Sequence, residues 1–241
     1  IVNADDLGSN AARDRGILDA FQAGIVPSAS LLANGSSLAT AVTQVPDSGL
    51  PVGVHLNLAD GATLTGPIEG LTDSCGELPG KTKLRQCLIS GDCDTAAISK
   101  ELEAQIRKLF DAGLQPDHVD SHQHCQIFPC LTTMTTKLAL KYGLRAMRTT
   151  LPAEPVEHDP GGTLGVELVL YRRLSFEAHR KIIASGLKTP DTLWGLPLLN
   201  QLYTASLCRL LEKLPEGRWE LMTHPGYPWS QGRPFDGQER Y

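Results

Sequence analysis

Clusters of basic residues and long apolar runs are both missing from this sequence of 241 residues. The chain has 22 Lys and Arg against 27 Asp and Glu, a net charge of −5, and its basic residues are scattered among acidic ones. Such a distribution offers no basic face to the phosphates of a nucleic acid. No apolar run approaches the ~20 residues that a membrane-spanning helix needs. We therefore expect a soluble protein that binds neither nucleic acid nor a membrane.

Cysteine pairs with the C-x-x-C spacing are also missing, although the chain has six cysteines. A domain of this length does not need disulfide bonds to stabilise its core, so we expect reduced thiols. Cys87 and Cys93 flank a turn-rich segment and would form a bridge if the protein were exported. The sequence therefore favours a cytoplasmic location, with export as the open alternative.

The chain does contain a regular alternation of strand and helix patterns. Its composition, 41% hydrophobic and 20% charged, suits a single globular domain over residues 1–241. Short apolar runs bounded by turn residues predict strands at 1–6, 28–34, 52–58, 117–124, 144–150 and 219–223. Apolar residues at helical spacing predict helices at 11–24, 38–45, 95–112, 129–142, 175–185 and 200–213. This order predicts an α/β fold of mostly parallel strands with crossover helices, either open or closed into a barrel.

One long segment, residues 60–95, departs from this alternation. It is rich in Gly, Pro, Thr, Asp and Ser and shows little periodicity. We therefore predict a long loop excursion within the domain rather than a core element. Loops of this kind often cover binding sites, so we expect it to form part of a substrate cleft.

Side chains that can bind a metal fall at the ends of the predicted strands. Asp5 and Asp6 end the first strand, His55 lies on the third, and His224 follows the last. In parallel α/β folds the carboxyl ends of the strands form one binding face, so these residues should converge. Neighbouring strand residues point in opposite directions, so one carboxylate of the pair can bind a metal while the other approaches from another side. Taken alone, the pair would more often be a solvent-facing helix start.

The segment from 118 to 124 concentrates four more polar side chains. Strand alternation would place His118, Asp120, His122 and His124 on one face. Three histidines and an acid are an unusual set for a core. The simpler interpretation is a solvated edge strand, because prolines lie on both sides of the segment.

One carboxylate and two imidazoles, from Asp6, His55 and His122, form a set that leaves open positions on a metal ion. Catalytic metal sites are built in this way, whereas structural zinc sites close their shell with four protein ligands. Cys125 and Cys130 lie near these histidines and raise a structural zinc site as an alternative, but their spacing fits no common zinc module. The set therefore favours catalysis.

Four segments together resemble the YdjC/ChbG-like carbohydrate deacetylases: 1–8, 53–56, 116–124 and 222–226. They come in the family's order and span almost the whole chain, and His-x-Asp-Ser-His-x-His is the most specific of them. The resemblance implies a distorted (β/α) barrel. It also implies an enzyme that removes acetyl groups from N-acetylated amino sugars such as chitooligosaccharides with one divalent metal ion, Mg²⁺ or Zn²⁺.

The resemblance also carries residue roles to this chain. It places the metal ligands on Asp6, His55 and His122 and the general base on Asp5. The histidine of the family's late His-Pro motif falls on His224, and Arg148 matches an arginine near the site. This chain has Gln126 where the family often has a further histidine, and the family usually continues past Tyr241 with another helix. His118, Asp120 and His124 are candidates to orient ligands or hold substrate.

The expected reaction is hydrolysis of the acetamide. A divalent metal lowers the pKa of water from ~15.7 toward ~7 and stabilises the oxyanion. Asp5 takes the proton from water, and His224 is the candidate acid that protonates the departing amine. The expected partner is a small carbohydrate, and a homodimer stays open beside a monomer.

Two other functions stay open at this stage. A metal-dependent phosphoesterase would also use Asp and His ligands, although it would usually need two metal ions and cationic clamps. A noncatalytic sugar-binding protein would keep the metal for structure. The adjacent Asp5 and Asp6 favour catalysis over binding, because a binder needs no free carboxylate beside its metal.

Overall fold

The computed structural model describes residues 1–154, 159–199, 201–212, 214 and 216–228. The strands β1 to β7 in this part of the chain are Val2–Leu7, Ser28–Leu32, Val52–Leu56, His118–Ser121, Ala146–Met147, Thr192–Trp194 and Trp219–Thr223. The helices α1 to α7 are Ala11–Gln22, Leu38–Ser48, Lys81–Ser90, Thr95–Asp111, Pro129–Lys141, Gly162–Ala184 and Thr204–Leu211. None of the described helices is both long enough and apolar enough to cross a membrane.

All seven strands belong to one parallel sheet, in the order β5-β4-β3-β2-β1-β7-β6. Parallel neighbours need crossover connections, which the helices supply. The two edges of the sheet approach each other, because Ala146 and Pro152 form single parallel bridges with Lys188 and Leu193. The sheet is therefore a curled, distorted barrel, which confirms the predicted fold class.

Helix α4 shows how the sequence determines one of the outer elements. Its apolar residues recur every three or four positions, and Ile98, Leu102 and Ile106 are at most 1% exposed. The Asp94 side chain caps the helix by accepting the backbone N–H of Ala96. Burying a large aliphatic side chain is worth about 1.5–3 kcal/mol, so packing against the sheet is the main stabilising term for this helix.

The inside of the barrel is polar. Asn3 Nδ2 donates to Asp5 Oδ1 at 2.8 Å and to Ser30 Oγ at 2.9 Å, and Ser30 Oγ donates to Asp120 Oδ2 at 2.7 Å. Each of these four side chains is at most 2% exposed. Buried polar groups are costly unless they are hydrogen-bonded, and here they satisfy one another across three strands. This network fixes the orientation of the carboxylates that reach the site.

The predicted strand at 117–124 is wrong in its second half. Strand β4 ends at Ser121, and His122–Ile127 forms a 3₁₀ turn in which Gln123 and His124 have φ of 56° and 55°. Consecutive residues in the left-handed region break the alternation of a strand. His118 and Asp120 therefore share a face of β4, whereas the turn aims His122 and His124 separately.

Other expectations need smaller corrections. The segment 60–95 contains helix α3 and contributes buried side chains, among them Ile68 and Leu71, so it is not only a loop excursion. Cys87 and Cys93 form a disulfide bond with a Cα–Cα distance of 5.7 Å, which contradicts the preference for six reduced thiols. The remaining cysteines are free. Strand β5 is shorter than the predicted 144–150, and β6 was not predicted because three residues show no periodicity.

Candidate active site

Asp5 and Asp6 lie at a break in the pairing of β1. The register between β1 and β2 shifts between Ala4 and Leu7, and Asp6 has φ of 67°. A non-glycine residue in this conformation is uncommon, and aspartate tolerates it better than most. A bulge of this kind re-aims side chains at the end of a strand. The two adjacent carboxylates consequently face different partners, although both are at most 2% exposed.

Asp6 lies between two histidines that come from separate strand ends. Its Oδ1 lies 2.9 Å from His122 Nδ1 and 3.2 Å from His55 Nε2. Burial alone would raise the pKa of Asp6, but the charge and hydrogen bonds of His122 and His55 hold it well below the usual value. The other oxygen, Oδ2, is buried without a hydrogen-bond partner among the described residues. An ionised, half-partnered carboxylate beside two imidazoles is a donor set that suits a divalent cation.

Two groups of residues in the described chain have ligand atoms close enough to share one metal ion. One is Asp6, His55 and His122, and the other is Asp5, His55 and Asp120, each with atoms within 4.8 Å of one another. In the second group the carboxylates are already bound by a guanidinium. In the first group Oδ2 of Asp6 has no hydrogen-bond partner among the described residues, so this group fits a metal ion better than the second. It is also the set that the sequence predicted.

Asp120 lies behind His55 and orients it. The distance from His55 Nδ1 to Asp120 Oδ1 is 2.7 Å, and the other oxygen of Asp120 accepts from Ser30. Burial would lower the pKa of His55, but Asp120 and Asp6 outweigh it and raise the pKa to about 10. A carboxylate on the far nitrogen of a ligating histidine is the usual support of a metal site.

Arg148 holds Asp5 with two parallel hydrogen bonds of 2.6 Å, one to each oxygen. The same guanidinium bonds Asp120 at 2.7 Å and Glu220 at 2.6 Å. Burial would raise the pKa of Asp5, but the positive charge of Arg148 lowers it. Asp5 is therefore ionised and fixed, within reach of His55 but separate from Asp6. This arrangement agrees with one carboxylate for a metal and one for proton transfer.

His224 lies on the rim of the same site. It follows β7, which pairs with β1, and its Nε2 is 3.7 Å from Asp6 Oδ2. The cleft that it borders is small, with a volume of about 50 Å³. The described residues that line this cleft are Asp5, His55, Ser121, His122, Gln123, His124, Leu164, Glu167, Tyr171, Leu196, Leu199, Met222 and His224.

The structure separates the two remaining histidine candidates. His118 lies at the amino end of β4, where its Nδ1 is 2.7 Å from Asp117 and its Nε2 is 3.4 Å from Ser30 Oγ. His118 is thus not among the described residues that line the cleft, and Ser30 links it to Asp120. A Cβ on Gly53 would lie 2.3 Å from its ring, which explains the glycine there.

His124 lines the cleft directly. Its ring packs edge-on against Tyr171 with centroids 5.3 Å apart, and its buried Nδ1 has no hydrogen-bond partner among the described residues. Burial and the charge of Arg148 lower the pKa of His124 to about 3, so the ring is neutral. Gln126, which stands where the family often has histidine, is buried and bonds Ser121 and Thr150 rather than facing the cleft.

Several residues of the site were not predicted from the sequence. Asp60 Oδ2 lies 3.1 Å from His122 Nε2, Ser30 bonds Asp120, and Glu220 bonds Arg148 Nε at 2.7 Å. The sequence could have indicated Glu220, because it is a single acidic residue within an apolar predicted strand. Apart from Asp60, segment 60–95 contributes to the site only through α3, where Arg85 bonds Glu167 at 2.9 Å. His158, a histidine that the sequence pattern places at no predicted strand end, lies outside the described residues.

Comparison with known proteins places this fold and site in a family. The model of the family described as YdjC-like protein matches residues 1–240. Carbohydrate deacetylase of Mus musculus is 34% identical over 95% of this chain and 78% of its own length. Carbohydrate deacetylase of Listeria welshimeri is 38% identical over 80% of this chain and 78% of its own.

One solved structure shares the fold. A candidate cellobiose-phosphate cleavage protein from Enterococcus faecalis V583 superposes with a TM-score of 0.71 at 24% identity, over 95% of this chain and 81% of that one. At this identity the likeness supports the barrel alone. Together with the match of the family model over nearly the whole sequence, it leads to one conclusion: the chain belongs to the YdjC-like family.

Proposed function

We propose that this protein is a carbohydrate deacetylase that hydrolyses the acetamide of an N-acetylated amino sugar or a short chitooligosaccharide. In this proposal Asp6, His55 and His122 hold one divalent metal ion, Mg²⁺ or Zn²⁺, while Asp5 is the general base and His224 the general acid. The relatives named carbohydrate deacetylase supply the substrate class. The residue roles and the metal rest on the geometry of the cleft.

The observation that carries the proposal is that the two adjacent carboxylates, Asp5 and Asp6, have different partners. Asp6 faces two histidines and keeps one oxygen without a hydrogen bond among the described residues, whereas Arg148 binds both oxygens of Asp5. A metal bound by the first group would polarise the acetyl carbonyl and make water more acidic. Asp5 remains a fixed, ionised carboxylate beside that group. A site that only bound sugar would have no use for this second carboxylate.

Asp5 is suited to take a proton from the attacking water. Its carboxylate lines the cleft and is held ionised by Arg148, so it starts the reaction in the basic form. Its orientation is fixed by Arg148 and Asn3, which limits the motion needed during the transfer. General-base catalysis of this kind contributes about 10²–10⁴-fold to the rate.

His224 is suited to give a proton to the leaving amine. An amide nitrogen leaves poorly as an anion, so the C–N bond breaks only as the nitrogen gains a proton. His224 lies beside the candidate metal group, with its Nε2 3.7 Å from Asp6 Oδ2, and its side chain is 19% exposed. It is thus close enough to reach the substrate and open enough to exchange protons with water. The order of events is attack of water on the carbonyl carbon, proton uptake by Asp5, and C–N cleavage with protonation by His224.

The cleft lining argues against a phosphoesterase. None of the described residues that line it is lysine or arginine, and its two carboxylates, Asp5 and Glu167, already pair with Arg148 and Arg85. A phosphate monoester would need cationic partners there. Arg148 is engaged by three carboxylates inside the barrel and has no place in binding a phosphate. The neutral acetamide suits this lining better.

Release of acetate from a panel of N-acetylated sugars, with and without a chelator, tests the proposal. We expect acetate from at least one amino sugar or short chitooligosaccharide, loss of release with the chelator, and recovery when Mg²⁺ or Zn²⁺ is added back. A panel of sugar phosphates assayed for inorganic phosphate is the parallel control. Phosphate release without acetate release would overturn the proposal, and so would full acetate release in the presence of the chelator.

A further inference from the structure

Helix α1 carries two buried charged residues side by side, Arg13 and Asp14, which are 3% and 2% exposed. Arginine and aspartate are seldom fully buried unless they have a structural or functional partner. Neither residue belongs to the proposed chemistry. Their side chains reach two different strand ends of the site, where each forms a hydrogen bond with the backbone.

Asp14 holds the turn that follows Asp5 and Asp6. Its Oδ1 accepts the backbone N–H of Gly8 at 2.6 Å. Gly8 has φ of 86°, a conformation that suits glycine, and the next residue donates its N–H to the carbonyl of Asp6 at 3.1 Å. Asp14 therefore fixes the point where the chain leaves β1, directly behind the bulge that carries the two acids.

Arg13 holds the loop that carries His224. Its NH1 donates to the carbonyl oxygen of His224 at 2.5 Å. The same loop lies against the helix two residues further on, where a Cβ on Gly16 would be 2.5 Å from the Cα of Gly226. Tyr227 N–H donates to the carbonyl of Ala12 at 3.2 Å and completes the attachment. The loop therefore rests on the first turns of α1.

We infer that Arg13 and Asp14 are positioning residues that fix the spacing between the general base and the general acid from a single turn of α1. Asp14 fixes the end of β1 and Arg13 fixes the His224 loop. Because the two residues are adjacent on α1, the positions of the two attachments are coupled. This inference rests on the proposed function. Because a misplacement of about 1 Å can cost roughly 10²-fold in rate, such a shared support has a direct effect on catalysis.

A double-mutant cycle between Arg13 and His224 tests the first attachment. Arg13→Ala should lower kcat by roughly tenfold or more, with a smaller change in KM, because the acid is misplaced. In the background of His224→Ala, which keeps the backbone carbonyl but removes the acid, the same change should cost less than about twofold. Arg13→Lys should recover part of the loss. Arg107→Ala, an exposed arginine on α4, is the matched control and should leave kcat unchanged.

A second variant covers the case in which Arg13→Ala does not fold. Gly16→Ala keeps both charges and raises the helix propensity of α1, but its Cβ would displace Gly226 and with it the loop. It should show the same dependence on His224. Asp14→Ala should instead lower metal affinity by roughly 10–100-fold, as removal of a residue that orients ligands does, whereas the Arg13 variants keep wild-type metal content.

The results separate the inference from the proposed function. If the wild type releases no acetate, or if His224→Ala retains the full rate, the proposed function fails and this inference fails with it. If His224→Ala is impaired but Arg13→Ala and Gly16→Ala cost the same in both backgrounds, the acid assignment stands and the positioning role is wrong. Full activity of folded Gly16→Ala and Arg13→Ala would overturn it as well.

Discussion

The two sides of the cleft are built in different ways. The side that we call catalytic consists of Asp5, Asp6, His55 and His122, which come from β1, β3 and the residue after β4. The side that we call the recognition side consists of His124, Leu164, Glu167, Tyr171, Leu196 and Leu199, which come from a 3₁₀ turn, helix α6 and a short segment after β6. The first is polar and buried, and the second mixes apolar side chains with a few polar ones.

The difference lies in what holds each side in place. Ladder hydrogen bonds of the sheet position the catalytic side, and Arg148 and Asp120 support it from inside the barrel. Segments between strands position the recognition side, and such segments vary without disturbing a barrel. We therefore expect the strand ends to determine the reaction and the connecting segments to determine which sugar is accepted.

The largest effect should come from the catalytic side. Asp6→Asn removes the charge that the candidate metal group needs, so metal content should fall toward zero and the rate should fall by more than the roughly 10⁴-fold that loss of a general base can cost. Elemental analysis of the purified variant, with acetate release measured in parallel, checks this. Full metal content in Asp6→Asn would contradict the assignment of the ligand.

A smaller effect on metal binding is expected from Asp120, which contacts the candidate ligand His55. Asp120→Asn keeps the shape of the side chain but removes the charge that orients His55 across 2.7 Å. Metal affinity should fall by about 10–100-fold, because that is the usual loss when the group bound to the other nitrogen of a ligating histidine is removed. Titration with Mg²⁺ or Zn²⁺ followed by calorimetry measures it. An unchanged affinity would show that Asp120 does not support a ligand.

On the recognition side the effect should appear in KM. His124→Gly removes a ring that lines the cleft and whose buried Nδ1 has no hydrogen-bond partner among the described residues, and glycine suits its φ of 55°. We expect KM to rise roughly tenfold, equivalent to about 1.4 kcal/mol, with metal content unchanged. Steady-state kinetics with the preferred sugar checks this. A loss of metal instead of a rise in KM would show that His124 belongs with the residues of the catalytic side.

The smallest effect is expected from helix α3. Arg85 bonds Glu167 at 2.9 Å and the hydroxyl of Tyr171 at 2.7 Å, so α3 supports the recognition side from behind. Arg85→Ala should raise KM by a few-fold and leave kcat unchanged, because each such hydrogen bond is worth about 0.5–1.5 kcal/mol. Arg107→Ala is the matched control. Equal KM values in the two variants would show that α3 has no part in recognition.

The same contrast explains how far the sequence could predict the structure. The candidate ligands Asp6 and His55 were visible because they stand at the ends of apolar runs with a clear period, and parallel strands bring such ends together. The order of strands and helices predicted a mostly parallel sheet, open or closed, and the family resemblance predicted the distorted barrel. His224 was visible at a strand end and received its role from the resemblance, whereas Arg148 was found through the resemblance alone.

The recognition side was not predictable in the same way. The turn at His122–Ile127 depends on two residues with positive φ, which no alternation pattern reveals, so His124 was expected on a strand face. Strand β6 has three residues, too few to show a period. Ser30 and Asp60 join the site through tertiary contacts between segments far apart in sequence. These are properties of the assembled barrel.

Asp5→Asn tests the division between the two acids most directly. Asparagine keeps the size of the side chain and one oxygen that accepts from Arg148, but it cannot accept a proton from water. Metal content and KM should stay at wild-type values while kcat falls by about 10²–10⁴-fold, in contrast with Asp6→Asn, which loses its metal. Metal loss in Asp5→Asn, or a full rate with its metal retained, would contradict the separation of ligand and base on which the mechanism depends.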